Sequence, residues 1–189
     1  FIFTFFSSFG QSFFIGLFNS DIRSALYISH GEFGSIYALA TLLSSFTLIW
    51  LGKKIDDFKL IYFSIFVIFL LFISSIFFSF INNIYLLLIG IFLLRLSGQG
   101  LMSHTATTAI SRYFDQRRGK SLSTAWLGLS SAEFILPITI VFFLTIYSWR
   151  SIWLTIAILV ILFLPLISFL MIKDLTLYSR EKSKSEIKK

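Results

Sequence analysis

The stretch IYLLLIGIFLLRLSGQGLMSHTATTAIS, residues 84–111, places one basic side chain, Arg95, inside an otherwise uncharged run. As a helix it is long enough to cross the hydrocarbon core of a bilayer, which takes about 20 residues. An ionised arginine near the bilayer centre costs about 2.5 to 3.5 kcal/mol even on the lenient insertion scale, so it rarely faces lipid. The stretch therefore predicts a membrane helix whose arginine has either a charged partner or a place in a pathway.

The composition of the whole chain also indicates a membrane protein. Of 189 residues, 57% are hydrophobic and 13% are charged, an apolar share above that of ordinary soluble domains. The net charge of +7 does not indicate nucleic-acid binding, because the basic residues fall in short gaps between apolar runs. Since the sequence has no cysteine, it has no disulfide, thiolate zinc site or cysteine nucleophile.

Six apolar runs of membrane-spanning length predict six transmembrane helices. They cover about residues 1–18, 33–51, 59–80, 84–111, 120–146 and 151–172. The runs are continuously apolar rather than alternating in polarity, which favours helices over a membrane β-barrel. The predicted fold is an all-α membrane protein with a six-helix bundle at 1–172. A lysine-rich tail at 173–189 is expected to be a disordered linker.

The basic residues predict the orientation of these spans. Thirteen of the 16 Lys and Arg residues lie in or beside the loops at 52–58 and 112–119 or in the tail, whereas Arg23 and Arg150 lie on the opposite side. The positive-inside rule places the basic side in the cytoplasm, and with it both ends of the chain. We expect a multi-pass protein of a plasma membrane, the inner membrane of a bacterium. The tail either rests on anionic headgroups or is solvated with only a topological role.

Three motifs follow one another along the chain. The loop WLGKKIDDFK, 50–59, has Gly52, which is predicted to let the second helix end and turn. Four residues later, Asp56 is predicted at the start of the next helix, where the helix dipole favours an anion. The fourth span carries R-x-x-G-x-G from Arg95, and the stretch ISRYFDQRRGKSLSTAWLGLSSAEFILP covers 110–137.

These motifs resemble the N-terminal half of a major facilitator superfamily transporter, and the third is similar to its organic-anion and monocarboxylate branches. The resemblance implies one six-helix half of a twelve-helix carrier that works by alternating access, with the substrate site between the halves. The chain begins at Phe1 without an initiator Met, so we expect a fragment whose missing C-terminal half follows the tail. The resemblance extends to Gly52, Asp56, Arg95, Gly98, Gly100, Arg112, Gly119 and Pro137.

Arg95 has a candidate partner on the fifth span. Arg95 lies seventeen residues, roughly 25 Å, before Arg112, and Glu133 lies thirteen residues, roughly 20 Å, after Lys120. In adjacent antiparallel helices the two charges differ in depth by about 5 Å, so the spacing allows an ion pair. A proton or an organic carboxylate arriving there would weaken the pair and so couple binding to a conformational change. The alternative is a permanent structural pair.

Other residues of the spans are polar, small or kinking. At about 100° per residue, Gln99 falls on the face of Arg95 and His104 roughly opposite, so the fourth helix is predicted in the bundle interior. Gly98 and Gly100 would allow close backbone approach there. His104 is interpreted as a hydrogen-bonded interior imidazole rather than a proton carrier.

Two further residues are predicted to border the cavity. Gln11 gives the first helix a small, polar patch that lines the cavity or only packs against a neighbouring helix. Pro137 is predicted to kink the fifth helix beside the site, or is a tolerated membrane proline.

Asp56 and Arg112 both lie at the predicted cytoplasmic ends of spans, with Gly52 and Gly119 in the same loops. A charge pair between them is predicted to latch that face closed, at about 0 to 1 kcal/mol if it is exposed. The alternative is that both are topology and capping charges.

Two other classes of protein are alternatives to a transporter. GLSS, 128–131, is similar to the G-x-S of intramembrane serine proteases, but the histidines, His30 and His104, precede the serine, so no enzyme is predicted. No metal-ligand spacing or phosphate-binding loop is present, and no cofactor or metal is predicted. A membrane assembly or receptor-like protein explains the small residues but not polar groups near the midplane. The expected partners are a small organic anion with proton coupling, the lipid bilayer and the missing half.

Overall fold

The computed structural model describes residues 1–114 and 118–187, with side chains described as far as residue 170. This part of the chain is helical, which confirms the all-α class, and five of its helices are long and apolar enough to cross a membrane. The α-helices are α1 (Ile2–Ser7), α2 (Ser12–Gly16), α3 (Asn19–Leu26), α4 (His30–Asp57), α5 (Leu60–Ser79), α6 (Ile84–Leu94), α7 (Ser103–Tyr113), α8 (Arg118–Leu144) and α9 (Trp149–Ile187). A π-helical segment, Arg95–Met102, joins α6 to α7 without a break.

The first predicted span, 1–18, is not one continuous helix. α1 ends at Ser7, a 3-10 turn covers Ser8–Gly10, and Gln11 is extended with φ −80° and ψ 155°. α2 then restarts the helix at Ser12. The run is apolar enough to span, but serine side chains compete with the helix for backbone hydrogen bonds and glycine lowers helix stability, so the helix breaks at its small residues.

The helix α4 is longer than the predicted span 33–51 at both ends. It begins at a capping box, in which Ser29 Oγ accepts from the Glu32 N–H at 3.2 Å and the Ser29 N–H donates to the Glu32 carboxylate at 2.7 Å. This pattern, S-x-x-E, satisfies two free N–H groups and fixes the start of the helix. The sequence contains this pattern directly before the apolar run, 33–51, from which the span was predicted.

The predictions for the loop after α4 were wrong in two respects. Gly52 does not end the helix; it is buried inside α4, which continues to Asp57. Asp56 lies in the last turn of α4 and not at the start of α5, which begins at Leu60. A glycine is tolerated inside a helix at a cost of about 1 kcal/mol, and the lysines that follow it are good helix formers, so the helix runs on.

An aromatic core joins the restarted part of the first segment to α5 and α9. α5 lies along α9, and α1 lies along α8. Trp153 is fully buried, with its ring centroid 4.8 Å from Phe78, 5.3 Å from Phe18 and 5.5 Å from Phe14. The contacts with Phe14 and Phe78 are edge-to-face, and such contacts add about 0.5 to 1.5 kcal/mol each beyond the burial of area. They hold the restart of the broken first segment against α5 and α9.

The segment Ile84–Tyr113 lies at the centre of the described bundle and contacts α1, α4 and α5. Its Ser97 hydroxyl lies 3.3 Å from Ser74 of α5, and His104 Nε2 lies 3.1 Å from the Gly52 carbonyl of α4. A helix with neighbours on several sides needs polar and small residues on several sides. The predicted interior position of this helix agrees with these contacts.

The π-helical stretch changes the angle between successive residues, so the projection at 100° per residue does not hold from Arg95 to Met102.

The chain after the last apolar run differs from the predicted irregular tail. The backbone of α9 is helical through Ile187, across Pro165 and past the predicted end of the span at 172. Lysine and glutamate are good helix formers, so a charged segment continues an existing helix at little cost. Pro137 likewise lies inside α8, which is continuous from Arg118 to Leu144. The residues 188–189 of the predicted tail, and 115–117 of the predicted loop, lie outside the described residues.

Candidate functional site

The broken first segment meets the π-helical segment backbone to backbone. A Cβ built on Gly98 would lie 2.6 Å from the Gly10 nitrogen and 2.8 Å from its Cα, and a Cβ on Gly10 would collide with the carbonyl of Leu94. Only glycine fits at either position, because backbone cannot move aside as a flexible side chain can. Irregular backbone at membrane depth is tolerated where it is buried in protein or lines a cavity. The two irregular segments are therefore buried against each other.

Arg95 lies at this contact and is 8% exposed. Its Nη1 donates to the Gly10 carbonyl at 3.3 Å and to Ser12 Oγ at 3.1 Å. Its guanidinium carbon lies 5.4 Å from the centroid of the Tyr37 ring, within cation–π range. The buried Nε has no hydrogen-bond partner among the described residues. The guanidinium is thus held by neutral groups, and its charge is not cancelled by any carboxylate within 4 Å in the described part of the chain.

The predicted ion pair between Arg95 and Glu133 was wrong. Glu133 lies in the middle of α8 and is exposed, whereas Arg95 points to the break between α1 and α2. The ion pairs among the described residues are Lys54–Asp57 and Arg112–Asp56. Residue counts along two helices give the heights of two side chains but not the directions in which they point. The helix break at Gly10 leaves a backbone carbonyl free, and this carbonyl accepts a hydrogen bond from Arg95.

Sequence reasoning missed Ser12 and Tyr37. The Tyr37 hydroxyl donates to Ser12 Oγ at 2.9 Å, so a hydrogen-bonded cluster joins α2, α4 and Arg95 of the π-helical segment. Phe33 stacks on the Tyr37 ring with centroids 6.3 Å apart and fixes its orientation from one turn away. The sequence contains a signal for both residues: Ser12 directly follows Gln11 in the small, polar patch, and Tyr37 is a polar aromatic inside an apolar span.

The two glutamines of the predicted site lie near this cluster. Gln11 is the extended, half-buried residue at the break itself. Gln99 is half-buried on the π-helical segment, and its buried Oε1 has no hydrogen-bond partner among the described residues. Gly100, also on this segment, packs against the side chain of Leu48, to which an added Cβ would lie 3.2 Å. The structure therefore brings Gln11, Gln99 and Arg95 to one region and leaves Glu133 on a different face.

At the other end of the central segment, Arg112 and Asp56 form an ion pair. Arg112 Nη2 donates to Asp56 Oδ1 at 2.8 Å and to the Ile55 carbonyl at 2.9 Å. The side chains are 32% and 75% exposed. Arg112 thus caps one free carbonyl of the last turn of α4 and offsets a carboxylate that the helix dipole disfavours there. Gly119, in the first turn of α8, is exposed and would accept a Cβ without contact.

A cavity of about 370 Å³ lies between α4 and α7 at this end. Its lining includes Gly52, Lys53, Asp56 and His104. The volume is sufficient for a small ligand, but Lys53 and Asp56 carry opposite charges and Arg112 already pairs with Asp56. Arg95 does not line this cavity. The buried, uncompensated charge of Arg95 is therefore the stronger candidate for a site, because a desolvated cation gains most from a counter-ion.

No group of three or more potential metal-ligating His, Asp or Glu residues occurs within the described ranges.

The sequence has a match among the models of known protein families. The family model described as Major Facilitator Superfamily matches residues 1–189. No curated protein matches the chain, and no solved structure matches it. Five helices of membrane-spanning length and a family match over the whole sequence leave one conclusion: the chain belongs to the Major Facilitator Superfamily, whose members are integral membrane transporters and not enzymes.

Proposed function

We propose that this chain takes part in secondary active transport of a small organic anion by alternating access, and that Arg95 is the cation that binds the anion. The observation that carries the proposal is the burial of this guanidinium among neutral partners, with no carboxylate within 4 Å in the described part of the chain. Within the family, we propose that the chain belongs to the organic-anion and monocarboxylate branch.

Burial of the Arg95 charge among neutral groups has an energetic cost. A carbonyl, a hydroxyl and an aromatic face stabilise a guanidinium but leave its net charge in place, and burial of an uncompensated charge is costly. An anionic ligand removes that cost when it binds. The ligand's free energy is therefore coupled to any conformational change that opens or closes access to Arg95, which alternating access requires.

Glu133 has a different role in this proposal. It is a carboxylic acid on an exposed face of a membrane helix, about 22 Å along the helix from Arg118. A charged carboxylate is costly inside a membrane, so an acidic residue within a spanning helix is a candidate for a functional role. We propose that Glu133 is a proton-coupling residue, independent of Arg95 and not paired with it.

The basic end of the bundle supplies the gate. The Arg112–Asp56 pair holds the last turn of α4 against α7 beside the cavity that Gly52 and His104 line. We propose that this end faces the cytoplasm of a bacterial cell, that the pair latches it, and that a C-terminal half completes the carrier. An exposed pair of this kind is worth about 0 to 1 kcal/mol, small enough to be broken in each transport cycle.

The proposal is tested by uptake into proteoliposomes that contain the full-length protein. Radiolabelled lactate, benzoate and succinate serve as probes, with glucose as the neutral control. Saturable, counterflow-competent uptake of at least one carboxylate is expected, and Arg95→Gln is expected to abolish it. Arg23→Gln is the matched control, since Arg23 lies at the opposite end from the basic loops and bonds only to Asn19 among the described residues.

Two outcomes would overturn the proposal. Carboxylate uptake that persists in Arg95→Gln at the wild-type rate would remove Arg95 from the site. Saturable uptake of glucose without uptake of any carboxylate would remove the organic anion. For the coupling step, Glu133→Gln is expected to lose the dependence of uptake on an imposed pH gradient, and a retained dependence would exclude Glu133.

A further inference from the structure

We infer that Ser12 is a specificity-determining residue of the Arg95 site, where its hydroxyl donates a hydrogen bond to a carboxylate ligand, and that Tyr37 is the residue that positions this hydroxyl. The inference rests on the proposed anion transport and names two residues for it that the family motifs do not contain. It follows from the hydrogen bonds of the cluster and from the number of bonds a hydroxyl can make.

A serine hydroxyl has one hydrogen to donate and two lone pairs that accept. Both lone pairs of Ser12 Oγ are engaged, because it accepts from Arg95 Nη1 at 3.1 Å and from the Tyr37 hydroxyl at 2.9 Å. Its own hydrogen has no acceptor among the described residues. Ser12 therefore presents only a donor, directed away from the two groups that bond to it.

The surroundings of Ser12 give this donor access to a ligand. Ser12 is exposed, although the guanidinium behind it is 8% exposed and Tyr37 is partly buried. A face that carries an arginine, a serine and a tyrosine is disfavoured against lipid, so it lies against water or protein. Donation from Arg95 and Tyr37 also polarises the Ser12 hydroxyl, which makes it a stronger donor.

The chemistry of such a site selects its ligand. A cation beside a hydroxyl that only donates matches an acceptor-only anion with two oxygens, which is a carboxylate. An amide or an alcohol brings a donor of its own and no charge, so it leaves the guanidinium uncompensated. The geometry thus selects for carboxylates against neutral analogues through three groups from separate segments: Ser12, Tyr37 and Arg95.

The test measures KM and the maximal rate of uptake for the radiolabelled carboxylate that the full-length protein transports best. Ser12→Ala is expected to raise KM about ten- to hundredfold, the range for a lost hydrogen bond to a charged group. Ser12→Thr keeps the hydroxyl and is expected to restore KM to within about threefold of wild type, by the same reasoning. The matched control is Ser20→Ala, an exposed serine of α3 away from the cluster.

Tyr37→Phe separates positioning from direct contact, since it removes the hydroxyl but keeps the ring under Arg95. It is expected to raise KM about three- to tenfold in the wild-type background, as for loss of one neutral hydrogen bond. In the Ser12→Ala background it is expected to have no further effect, because its only action is through Ser12. Additive effects of the two substitutions would overturn the positioning role.

The failure of this inference can be told apart from that of the proposed function. An unchanged KM in Ser12→Ala, while Arg95→Gln abolishes uptake, would overturn the role of Ser12 and leave the anion proposal intact. Full uptake in Arg95→Gln, or no uptake of any carboxylate, would overturn both. A lower melting temperature of Ser12→Ala with an unaltered KM would assign Ser12 to structure alone and likewise overturn the inference.

Discussion

Arg95 and Arg112 lie on the same central helical segment, yet their surroundings differ in kind. Arg112 has a carboxylate, Asp56, at 2.8 Å and is one-third exposed. Arg95 is buried and has a carbonyl, a hydroxyl and an aromatic ring instead. An exposed ion pair is stable but contributes little. A buried cation among neutral groups still gains from a counter-ion, which is why we propose latching for Arg112 and anion binding for Arg95.

The largest expected effect is on the backbone contact that creates the Arg95 site. Gly98→Val is expected to destabilise the bundle by about 3 kcal/mol, at the upper end for overpacking, because its neighbours are Gly10 backbone atoms. The loss is measured as the yield of monodisperse protein in detergent and as its melting temperature. Gly119→Ala is the control, since nothing lies within 4 Å of an added Cβ there. Wild-type stability of Gly98→Val would contradict the close approach of the two segments.

The next effect compares the two arginines directly. Arg95→Lys keeps the charge but loses the planar fork, so the contacts to Gly10, Ser12 and Tyr37 cannot all be kept. The initial rate of carboxylate uptake is expected to fall about tenfold or more, the cost of one charge-assisted hydrogen bond. Arg112→Lys, at the exposed pair, is expected to stay within about threefold of wild type. Equal losses in both variants would remove the distinction between the two sites.

A smaller effect is expected at the latch. Asp56→Asn removes the partner of Arg112 and is expected to change stability by about 0 to 1 kcal/mol, less at high salt. The chain has no cysteine, so Ile49→Cys places one thiol in the cavity beside the pair. We expect a thiol reagent to label this cysteine severalfold faster when Asp56→Asn is added. An unchanged labelling rate would rule out the latch.

The smallest effect is expected at the neighbouring pair, Lys54–Asp57. Both side chains are mostly exposed, at 59% and 62%, and three residues apart on one helix. Asp57→Asn is expected to change the free energy of unfolding by about 0.2 to 0.5 kcal/mol, which thermal unfolding in detergent measures. It is therefore a charge-matched control for Asp56→Asn. An effect on cavity labelling equal to that of Asp56→Asn would show that local charge, and not the Arg112 contact, is responsible.

The sequence predicted the helices better than their ends and interruptions. The runs behind α5 and α8 matched their observed bounds closely, because 20 consecutive apolar residues leave no other low-energy structure in a membrane. The bounds of α4 depended on local signals instead. Its start follows the Ser29–Glu32 capping box, which the sequence contains, and Gly52 misled the prediction of its end because helical glycine and terminal glycine look alike in sequence.

The contact between Asp56 and Arg112 could be anticipated and the surroundings of Arg95 could not. Charged residues flank both ends of a span and so mark where it meets the membrane surface. Because few residues lie at one surface, each of them has few possible partners. In the bundle interior, the partner of a side chain depends on helix rotation. The π-helical segment and the break at Gly10 alter that rotation, and neither has a sequence signal comparable to an apolar run.

The sequence by itself determined that this protein is a bundle of membrane helices, with most basic residues between the apolar runs and one arginine inside a run. These properties follow from the free energy of transferring side chains between water and lipid. Each residue contributes to this free energy independently of its neighbours. Only the tertiary structure decided that Arg95 meets Gly10, Ser12 and Tyr37 rather than Glu133. That choice depends on backbone atoms freed by a helix break and on side-chain direction, and both are set when the segments pack together.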